Sequence, residues 1–154
     1  MASAWRIVLS SEAAQAFSGE GSRRYGGRWN SPGVGAVYAS EHQSTAALEI
    51  FIHSQPFLPD KGYKAFYLEW PDRIAEVFVA KNLPADWRII PPPRSTMEIG
   101  DQWVLEERSA VLAVPSAITP AERNFLLNPA HRDFDQIRIA RPIDFTFDPR
   151  LIGR

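Results

Sequence analysis

Residues 16–53 read AFSGEGSRRYGGRWNSPGVGAVYASEHQSTAALEIFIH, and the rest of the chain is interpreted outward from this stretch. It joins a loop rich in glycine and arginine, a short apolar run around Tyr38, and a segment that places Glu49 among apolar residues. Glycine lets backbone come close to a ligand, and a guanidinium group such as that of Arg28 binds phosphate in a two-pronged geometry. Because the rings of Trp29 and Tyr38 and a carboxylate lie so near in sequence, the stretch indicates a nucleotide site.

Composition is typical of a single globular domain. The chain has 154 residues, of which 45% are hydrophobic and 23% charged, so it can bury a core without disulfides. Thirteen prolines and nine glycines favour an α+β fold with many short elements. The sequence contains no cysteine, which excludes a disulfide scaffold, a thiol nucleophile and cysteine-ligated metal.

Charge and targeting signals give a further set of expectations. The formal net charge is −1, so no overall positive field favours binding to nucleic acid or to a membrane. The first residues show no signal-peptide pattern, and no apolar run reaches the length of about 18 residues that a spanning helix needs. A cytoplasmic location is therefore expected. The three histidines, His42, His53 and His131, lack metal-ligand spacing, so no metal site is predicted.

Apolar patterning and turn residues predict an alternation of short strands and helices. A loop is predicted over 18–35, and a helical turn that starts at 119 is predicted to end within 124–129. The predicted strands are 5–9, 36–39, 63–70, 74–80 and 110–114, with a closing strand over 137–139 and 143–147 that is broken at Pro142. The predicted helices are 10–17, 41–54 and 95–108.

The helix over 41–54 has the clearest predicted orientation. Ser40 and Gln43 have the spacing of a capping box, which indicates that the helix starts just after Ser40. Glu49 lies one position from the apolar stripe, so its carboxylate is expected at the boundary between the core and a cleft. The stripe expected to face the core consists of Ala47, Leu48, Phe51 and Ile52, with Ile50 at its margin.

Simpler interpretations of the same residues stay open at this point. Gly19 and Gly21 have partial dinucleotide-fingerprint spacing, but they neither follow a strand directly nor open a helix, so a Rossmann fold is a poor interpretation. The clustered arginines could form a solvated loop surface. Glu49 could be an ordinary boundary glutamate and Tyr38 a core residue. Ser116 follows a strand but lacks the G-x-S-x-G setting of a hydrolase nucleophile.

Several longer motifs resemble those of the RES domain family. They are GEGSRRYGGRWNSPG at 19–33, VYAS at 37–40, ALEIFIH at 47–53, AVLAVPSAI at 110–118 and ERNFLLNPAH at 122–131. The resemblance is strongest over 17–53 and 105–131, and the order of the motifs fits one complete domain over 1–154. It implies an α+β fold related to ADP-ribosyltransferases, in which a split mixed β-sheet surrounds an NAD cleft.

The resemblance also implies a function. RES proteins are typically the toxin half of bacterial RES–Xre toxin–antitoxin pairs, which implies a toxin that degrades NAD+ by cleaving its nicotinamide–ribose bond. NAD+ would be the substrate, and no other cofactor is implied. The expected partner is an Xre-type helix-turn-helix antitoxin, with a toxin homodimer inside the complex and no direct contact with nucleic acid. ADP-ribosyl transfer to a cellular protein and a non-catalytic NAD-binding module are the alternatives.

The site residues are carried over by matching motifs. The implied catalytic residues are Arg28, Tyr38, Glu49 and Ser116. The implied NAD-binding residues are Arg6, Gly27, Arg28, Trp29, Tyr38 and Asn124. Chemistry suits these assignments, because arginine can neutralise a pyrophosphate, tyrosine can stack on the cationic nicotinamide, and a carboxylate can stabilise a developing ribosyl cation. Ser116 is expected to hydrogen-bond the nicotinamide side or to orient Glu49, without acting as a nucleophile.

Overall fold

Eight strands and three α-helices make up the regular structure of the described chain, which in this computed structural model comprises residues 1–54 and 56–151. The strands are β1 (Ala2–Leu9), β2 (Val37–Ser40), β3 (Tyr63–Trp70), β4 (Ala75–Val77), β5 (Val111–Pro115), β6 (Arg123–Leu127), β7 (Arg138–Ile139) and β8 (Ile143–Phe145). The helices are α1 (Glu20–Tyr25), α2 (Gln43–His53) and α3 (Arg94–Leu105). Within these residues, no helix is long and apolar enough to cross a membrane.

All eight strands belong to one mixed sheet that is nearly divided in two. Its order is β4-β5-β6-β2-β1-β3-β7, and β8 also pairs with β3. β4 and β5 are parallel, and the other neighbours are antiparallel. β1 and β3 pair along the whole of both strands, but β1 and β2 share a single register pair, Trp5 with Ser40. The predicted α+β class with a split mixed sheet is confirmed.

The two faces of the sheet are covered differently. One face buries a continuous cluster that includes Val37, Leu68, Trp70 and Phe125. On the opposite face there are two separate clusters, one around Ile7 beneath α2 and the other around Trp29, Trp103 and Leu126 beneath α3. Between them, β2 and β6 place the paired Ser40 and Asn124 side by side. We refer to the polar region that they form, between α2 and the cluster beneath α3, as the groove, and it contains the candidate site.

Helix α2 is rotated relative to the prediction. Leu48 and Ile52 were expected to face the core, but they are 39% and 46% exposed. Thr45 and Ala46 are buried instead, and Ile50 packs on the cluster beneath the helix. Since apolar residues surround this helix on most sides, its periodicity alone could not identify the buried face.

The predicted capping box at the start of α2 is also absent. The N-cap position is His42, and no side chain caps the helix there. The hydroxyl of Ser40 donates to Oδ1 of Asn124 at 2.8 Å, so it is engaged across the sheet. A tertiary hydrogen bond has replaced the local one that the sequence spacing predicted.

Other element predictions need correction as well. The helix expected over 10–17 is a short 3-10 helix at Ser10–Gln15, and the loop expected over 18–35 contains α1. The strand expected over 74–80 is limited to β4. The helical turn expected to end within 124–129 is wrong, because β6 occupies this part of the chain in the middle of the sheet. A short, continuously buried apolar run does not distinguish a central strand from a buried helical turn.

Helix α3 fixes the chain on either side of Arg28. Gly100 of α3 packs so closely that a Cβ atom there would lie 1.6 Å from the carbonyl oxygen of Trp29. The hydroxyl of Thr96 donates to the carbonyl of Arg28 at 2.6 Å. The buried rings of Trp29 and Trp103 belong to the same cluster. The backbone that carries Arg28 is therefore held by packing and by a hydrogen bond to the helix.

Candidate active site

Glu49 is the centre of a hydrogen-bond network that joins α2 to the ends of β5 and β6. Its Oε1 atom accepts from Nδ2 of Asn124 at 2.7 Å and from Oγ of Ser116 at 3.4 Å. Its Oε2 atom lies 3.0 Å from Nε2 of His53, one helical turn further along α2. The side chain of Glu49 is 23% exposed, so a ligand in the groove can reach the carboxylate.

Surrounding donors keep this carboxyl group ionised. Burial raises the pKa of Glu49, but the hydrogen bond and charge of His53 and the hydrogen bonds from Asn124 and Ser116 outweigh that effect. The pKa of Glu49 is therefore below its ordinary value of 4.5. Hydrogen bonds to the charged form of an acid have this effect in general. At neutral pH the site contains a fixed negative charge.

Asn124 and Ser116 are themselves held in one orientation. Oδ1 of Asn124 accepts from Ser40, which turns its amide nitrogen towards Glu49. Oγ of the fully buried Ser116 accepts from the backbone N–H groups of Ile118 at 3.2 Å and Thr119 at 3.1 Å. With its oxygen accepting from these groups, the Ser116 hydroxyl donates to Glu49. This geometry supports the orienting role predicted for Ser116.

Arg28 is held by the segment that precedes α3. Its Nη1 atom donates to the carbonyl of Trp87 at 2.9 Å and to that of Ile89 at 3.0 Å. Burial lowers the pKa of Arg28, the negative charge of Glu49 raises it and the positive charge of Arg88 lowers it, and the pKa is lowered overall. Glu49 is therefore close enough for its charge to act on Arg28.

Tyr38 lies on β2, next to β6, and the charges of Glu49 and Arg28 both act on the pKa of its hydroxyl. Its hydroxyl accepts from the N–H of Trp29 at 3.1 Å and donates to Oδ1 of Asn30. Burial raises the pKa of the Tyr38 hydroxyl, so it stays protonated at neutral pH. The residue as a whole is half-buried, and its hydroxyl is bound within the protein.

Two of the residues expected to bind NAD have structural roles instead. Trp29 is only 2% exposed, so the prediction that its ring offers a stacking face is wrong. Gly27 donates its N–H to the carbonyl of Asn30 at 2.9 Å, so it does not offer that group to a phosphate. A Cβ atom at Gly27 would lie 2.7 Å from the hydroxyl oxygen of Tyr38. Glycine is needed there because Tyr38 approaches the backbone closely.

Arg6 is a third correction. It alternates along β1 with Ile7, whose side chain packs towards α2, so Arg6 extends towards the other face of the sheet. Its Nε atom donates to the carbonyl of Ala16 at 2.7 Å, and Nη1 donates to that of Tyr38 at 2.8 Å. These contacts give Arg6 a supporting role where β1 and β2 separate, in place of the predicted contact with NAD.

The rest of the glycine-rich loop is largely closed on itself. Arg23 forms a two-pronged pair with Glu20, and its carbonyl accepts from the N–H of Gly33 at 2.7 Å. The N–H of Gly26 donates to the carbonyl of Ser22. The loop therefore shapes the backbone around Arg28, and these N–H groups are not free to bind a phosphate.

Two contributors to the site were not predicted from the sequence. His53 was set aside as a surface residue, although its position four residues after Glu49 places both on one side of a helix. Trp87 and its neighbours, whose carbonyls hold Arg28, lie in an irregular segment with no periodic signal. His131 contacts a different part of the molecule, since its Nε2 atom pairs with the carbonyl of Glu107. Across residues 1–54 and 56–151, no group of three or more potential ligand residues could hold a metal ion.

Comparison with known proteins identifies the family. The profile of the RES domain matches residues 3–148. A protein named Toxin Res from Yersinia enterocolitica is 38% identical over 148 residues, which cover 96% of this chain and 97% of the relative. A protein named Prs ADP-ribosylating toxin from a Sphingobium species is 39% identical over 156 residues, covering 97% of this chain and 96% of the relative.

A solved structure shares the fold. A chain of the crystal structure of the M. tuberculosis MbcT–MbcA toxin–antitoxin complex superposes with a TM-score of 0.78 over 94% of this chain and 84% of that chain. The two sequences are 18% identical, so this comparison concerns the fold alone. The family assignment rests on the profile match over nearly the whole chain and on the full-length relatives. The chain belongs to the RES domain family.

Proposed function

We propose that this protein is an enzymatic toxin that cleaves the nicotinamide–ribose bond of NAD+. The observation that carries the proposal is the ionised carboxylate of Glu49, held by Asn124 and Ser116 and exposed to a groove that also contains Arg28. A fixed anion beside a fixed cation suits a dinucleotide, whose nicotinamide ring is cationic and whose pyrophosphate is anionic.

The chemistry needs only one charged catalytic group. When the bond between C1′ of the ribose and the nicotinamide nitrogen breaks, the electron pair goes to the nitrogen and nicotinamide leaves neutral, so no general acid is needed. Positive charge develops on the ribose, as in glycoside cleavage. The Glu49 carboxylate stabilises that charge electrostatically. Water then adds to C1′ and releases a proton, which gives ADP-ribose and nicotinamide.

Arg28 and Tyr38 bind the substrate in this proposal. Nη1 of Arg28 donates hydrogen bonds to protein carbonyls, and the remaining N–H groups of Arg28 can donate to a pyrophosphate oxygen. The partly exposed ring of Tyr38 can stack on the nicotinamide cation, an interaction of about 0.5–2 kcal/mol. Ser116 and Asn124 keep the Glu49 carboxylate in the orientation that the reaction requires.

The test is nicotinamide release from NAD+ by the purified wild type and by Glu49→Gln. The substitution keeps an oxygen for Asn124 but removes the negative charge, so we expect a loss of turnover of at least about a hundredfold. NAD+ binding and the thermal midpoint should change little. Glu98→Gln is the matched control, since Glu98 is an exposed residue that pairs with Arg94 on α3.

Two results would contradict the proposal. Equal nicotinamide release by the wild type and Glu49→Gln would remove Glu49 from the mechanism. Binding of NAD+ without any nicotinamide release by the wild type, both with and without added cellular protein, would leave a non-catalytic NAD-binding module as the function.

The second candidate is ADP-ribosyl transfer to a protein, which the name of the Sphingobium relative favours. The bond that breaks and the role of Glu49 are the same, but a nucleophile of the acceptor replaces water at C1′. NAD+ labelled in the adenosine half distinguishes the two reactions. Free labelled ADP-ribose indicates hydrolysis, whereas label attached to an added cellular protein, with release that depends on that protein, indicates transfer.

We also propose that a cognate antitoxin of the Xre helix-turn-helix type neutralises the protein in the cytoplasm. The structural neighbour from a toxin–antitoxin complex supports an antitoxin partner. Adding a candidate antitoxin to the nicotinamide assay should abolish release in proportion to the complex formed. The mass of that complex tests whether it contains a toxin homodimer. A candidate that binds without lowering release does not neutralise by blocking the reaction.

A further inference from the structure

We infer that Arg88 is a second phosphate-binding residue, which acts with Arg28 on the diphosphate of a nucleotide. The inference rests on the proposed function for the identity of the ligand and extends it, because it assigns a binding role to a segment outside the family motifs quoted above. Arg28 contacts the backbone on either side of Arg88, and Arg88 contacts the backbone next to Ser116.

Arg28 is bound to the backbone on either side of Arg88. Nη1 of Arg28 donates to the carbonyls of Trp87 and Ile89, which are the residues immediately before and after Arg88. The guanidinium of Arg28 is thus fixed to the short piece of chain from which Arg88 projects.

The side chain of Arg88 is anchored towards the Glu49 network. Its Nε atom donates to the carbonyl of Ala117 at 3.0 Å, and Ala117 directly follows Ser116. The guanidinium carbon also lies 5.8 Å from the centre of the Trp87 ring. The remaining N–H groups of Arg88 belong to an exposed residue, so they can bind a ligand from solvent. The result is a cation held in place next to Ser116.

Neither positive charge has a carboxylate partner. Among residues 1–54 and 56–151, no carboxylate oxygen lies within 4.0 Å of a nitrogen of Arg28 or Arg88. Asp86, the nearest acid along the chain, accepts from the hydroxyl of Ser95 at 2.6 Å. Burial is the largest cause of the lowered pKa of Arg28. The charge of Glu49 opposes this effect, and the charge of Arg88 lowers the pKa further. Two neighbouring like charges are costly until an anion lies between them.

The geometry and charge fit a diphosphate. Guanidinium groups donate parallel N–H bonds to phosphate oxygens, and two of them can each bind one phosphate of a pyrophosphate. The same chemistry is offered by the pyrophosphate of NAD+ and by a free nucleoside diphosphate. ADP contains the diphosphate without the nicotinamide, so it tests the arginine pair independently of the cleavage reaction.

The experiment measures the dissociation constants of ADP and NAD+ by titration calorimetry. Arg88→Gln and Arg88→Lys are compared with the parent protein, and Arg132→Gln is the control because Arg132 is also exposed and has no carboxylate within 4.0 Å among the described residues. NAD+ is titrated into Glu49→Gln versions of each protein to prevent turnover, and ADP into proteins with native Glu49. Each titration is repeated at low and high salt.

The expected result is specific to charge. Loss of a charge-assisted hydrogen bond should weaken both ligands about ten- to a hundredfold in Arg88→Gln at low salt, and the difference should shrink at high salt. Arg88→Lys should be intermediate, because lysine retains the charge but not the two-pronged geometry. Arg132→Gln should stay within about twofold of the parent, since it contacts neither ligand.

Two outcomes would overturn the inference, and a third would support it although the proposed function fails. Binding of ADP and NAD+ by Arg88→Gln at parental affinity overturns it even if nicotinamide is released normally. A loss of affinity in Arg88→Gln that is unchanged by salt and accompanied by a lower thermal midpoint indicates a structural role. This outcome also overturns the inference. ADP binding that depends on Arg88, in a protein that does not cleave NAD+, supports the arginine pair while the proposed function fails.

Discussion

At the scale of single residues, the site depends on hydrogen-bond donors that are fixed in one orientation. The amide of Asn124 cannot reverse without losing the bond from Ser40, and the hydroxyl of Ser116 is used as an acceptor by two backbone groups. Both therefore direct a hydrogen at Glu49. A carboxylate fixed in this way needs little reorganisation when positive charge develops near it, which is the basis of electrostatic catalysis.

The pH dependence of activity tests this network. In Asn124→Ala, one donor to the ionised form of Glu49 is lost, so the pKa of Glu49 should rise. The acid limb of the kcat/KM profile should then move upward by about one to two pH units from a wild-type position below the ordinary value of 4.5. Nicotinamide release at a series of pH values measures the shift. Asn82→Ala, at an exposed asparagine, is the control.

An unchanged acid limb with lowered activity in Asn124→Ala would contradict the assignment of that limb to Glu49. It would indicate that Asn124 contributes through a contact with the substrate. The same titration also has a consequence for stability. Because the folded-state pKa of Glu49 is depressed, its ionisation stabilises the fold above pH 4.5, and this contribution is lost as pH falls through the folded-state value.

Single residues also show the limit of motif matching. The matches identified Glu49 and Ser116, which share a hydrogen bond, and also Arg28 and Tyr38, on whose pKa values the charge of Glu49 acts. They did not distinguish a residue that could contact a ligand from one that supports such a residue, and Trp29 is an example. A buried tryptophan and a stacking tryptophan look alike in sequence, since only the packing of α3 covers this ring.

At the scale of elements, α3 acts as the support for the arginine side of the groove. Gly100 allows the helix to touch the backbone at Trp29, and Thr96 bonds the carbonyl of Arg28. The closeness of this contact was not visible in the sequence, where Gly100 is only a weak helix former within an otherwise helical pattern.

Substitution at Gly100 tests that contact. A Cβ atom in Gly100→Ala would overlap the carbonyl oxygen of Trp29, so we expect α3 to move and the free energy of unfolding to fall by about 3 kcal/mol or more. Gly21→Ala is the matched control, because a Cβ atom there meets nothing within 4 Å and Gly21 is helical. The control should be unchanged or stabilised by about 0.4–1 kcal/mol. Urea denaturation measures both, and equal stability of the two variants would contradict the prediction.

At the scale of the whole molecule, the split between β1 and β2 is bridged by a partly buried cation. Only Trp5 and Ser40 are paired across it, and Arg6 donates to the carbonyls of Ala16 and Tyr38. Burial lowers the pKa of Arg6 to about 10, with the charge of Glu12 opposing the effect. Arginine suits this position, since its planar group reaches two acceptors that belong to different segments.

Arg6→Lys should therefore weaken the fold more than it weakens binding. One ammonium group cannot reproduce both contacts, so we expect the free energy of unfolding to fall by about 1.5–3 kcal/mol. The dissociation constant of NAD+ for the folded protein should stay within about twofold, because Arg6 contacts backbone and not the groove. Urea denaturation and calorimetry measure the two quantities, with Arg73→Lys at an exposed position as the control. Full stability with weakened NAD+ binding would restore the binding role predicted from the motif.

The sequence by itself determined the α+β class, most of the element positions, and the identity of the polar residues around the groove. These properties follow from local composition, from alternation along strands and from motifs that are contiguous in the chain. It did not determine that Arg123–Leu127 forms a central strand or which face of α2 is buried, because both regions are apolar in more than one direction.

Only the tertiary structure decided which of the candidate residues meet. Glu49 and Asn124 are 75 positions apart, and Arg28 is 59 positions from Trp87, yet each pair is joined by a hydrogen bond. Such contacts depend on the pairing of β2 with β6 and on the packing of α3, so no local pattern contains them. The separate roles of Arg6, Trp29 and Arg28 have the same physical origin. Side chains of similar chemistry differ according to whether backbone, core or groove surrounds them.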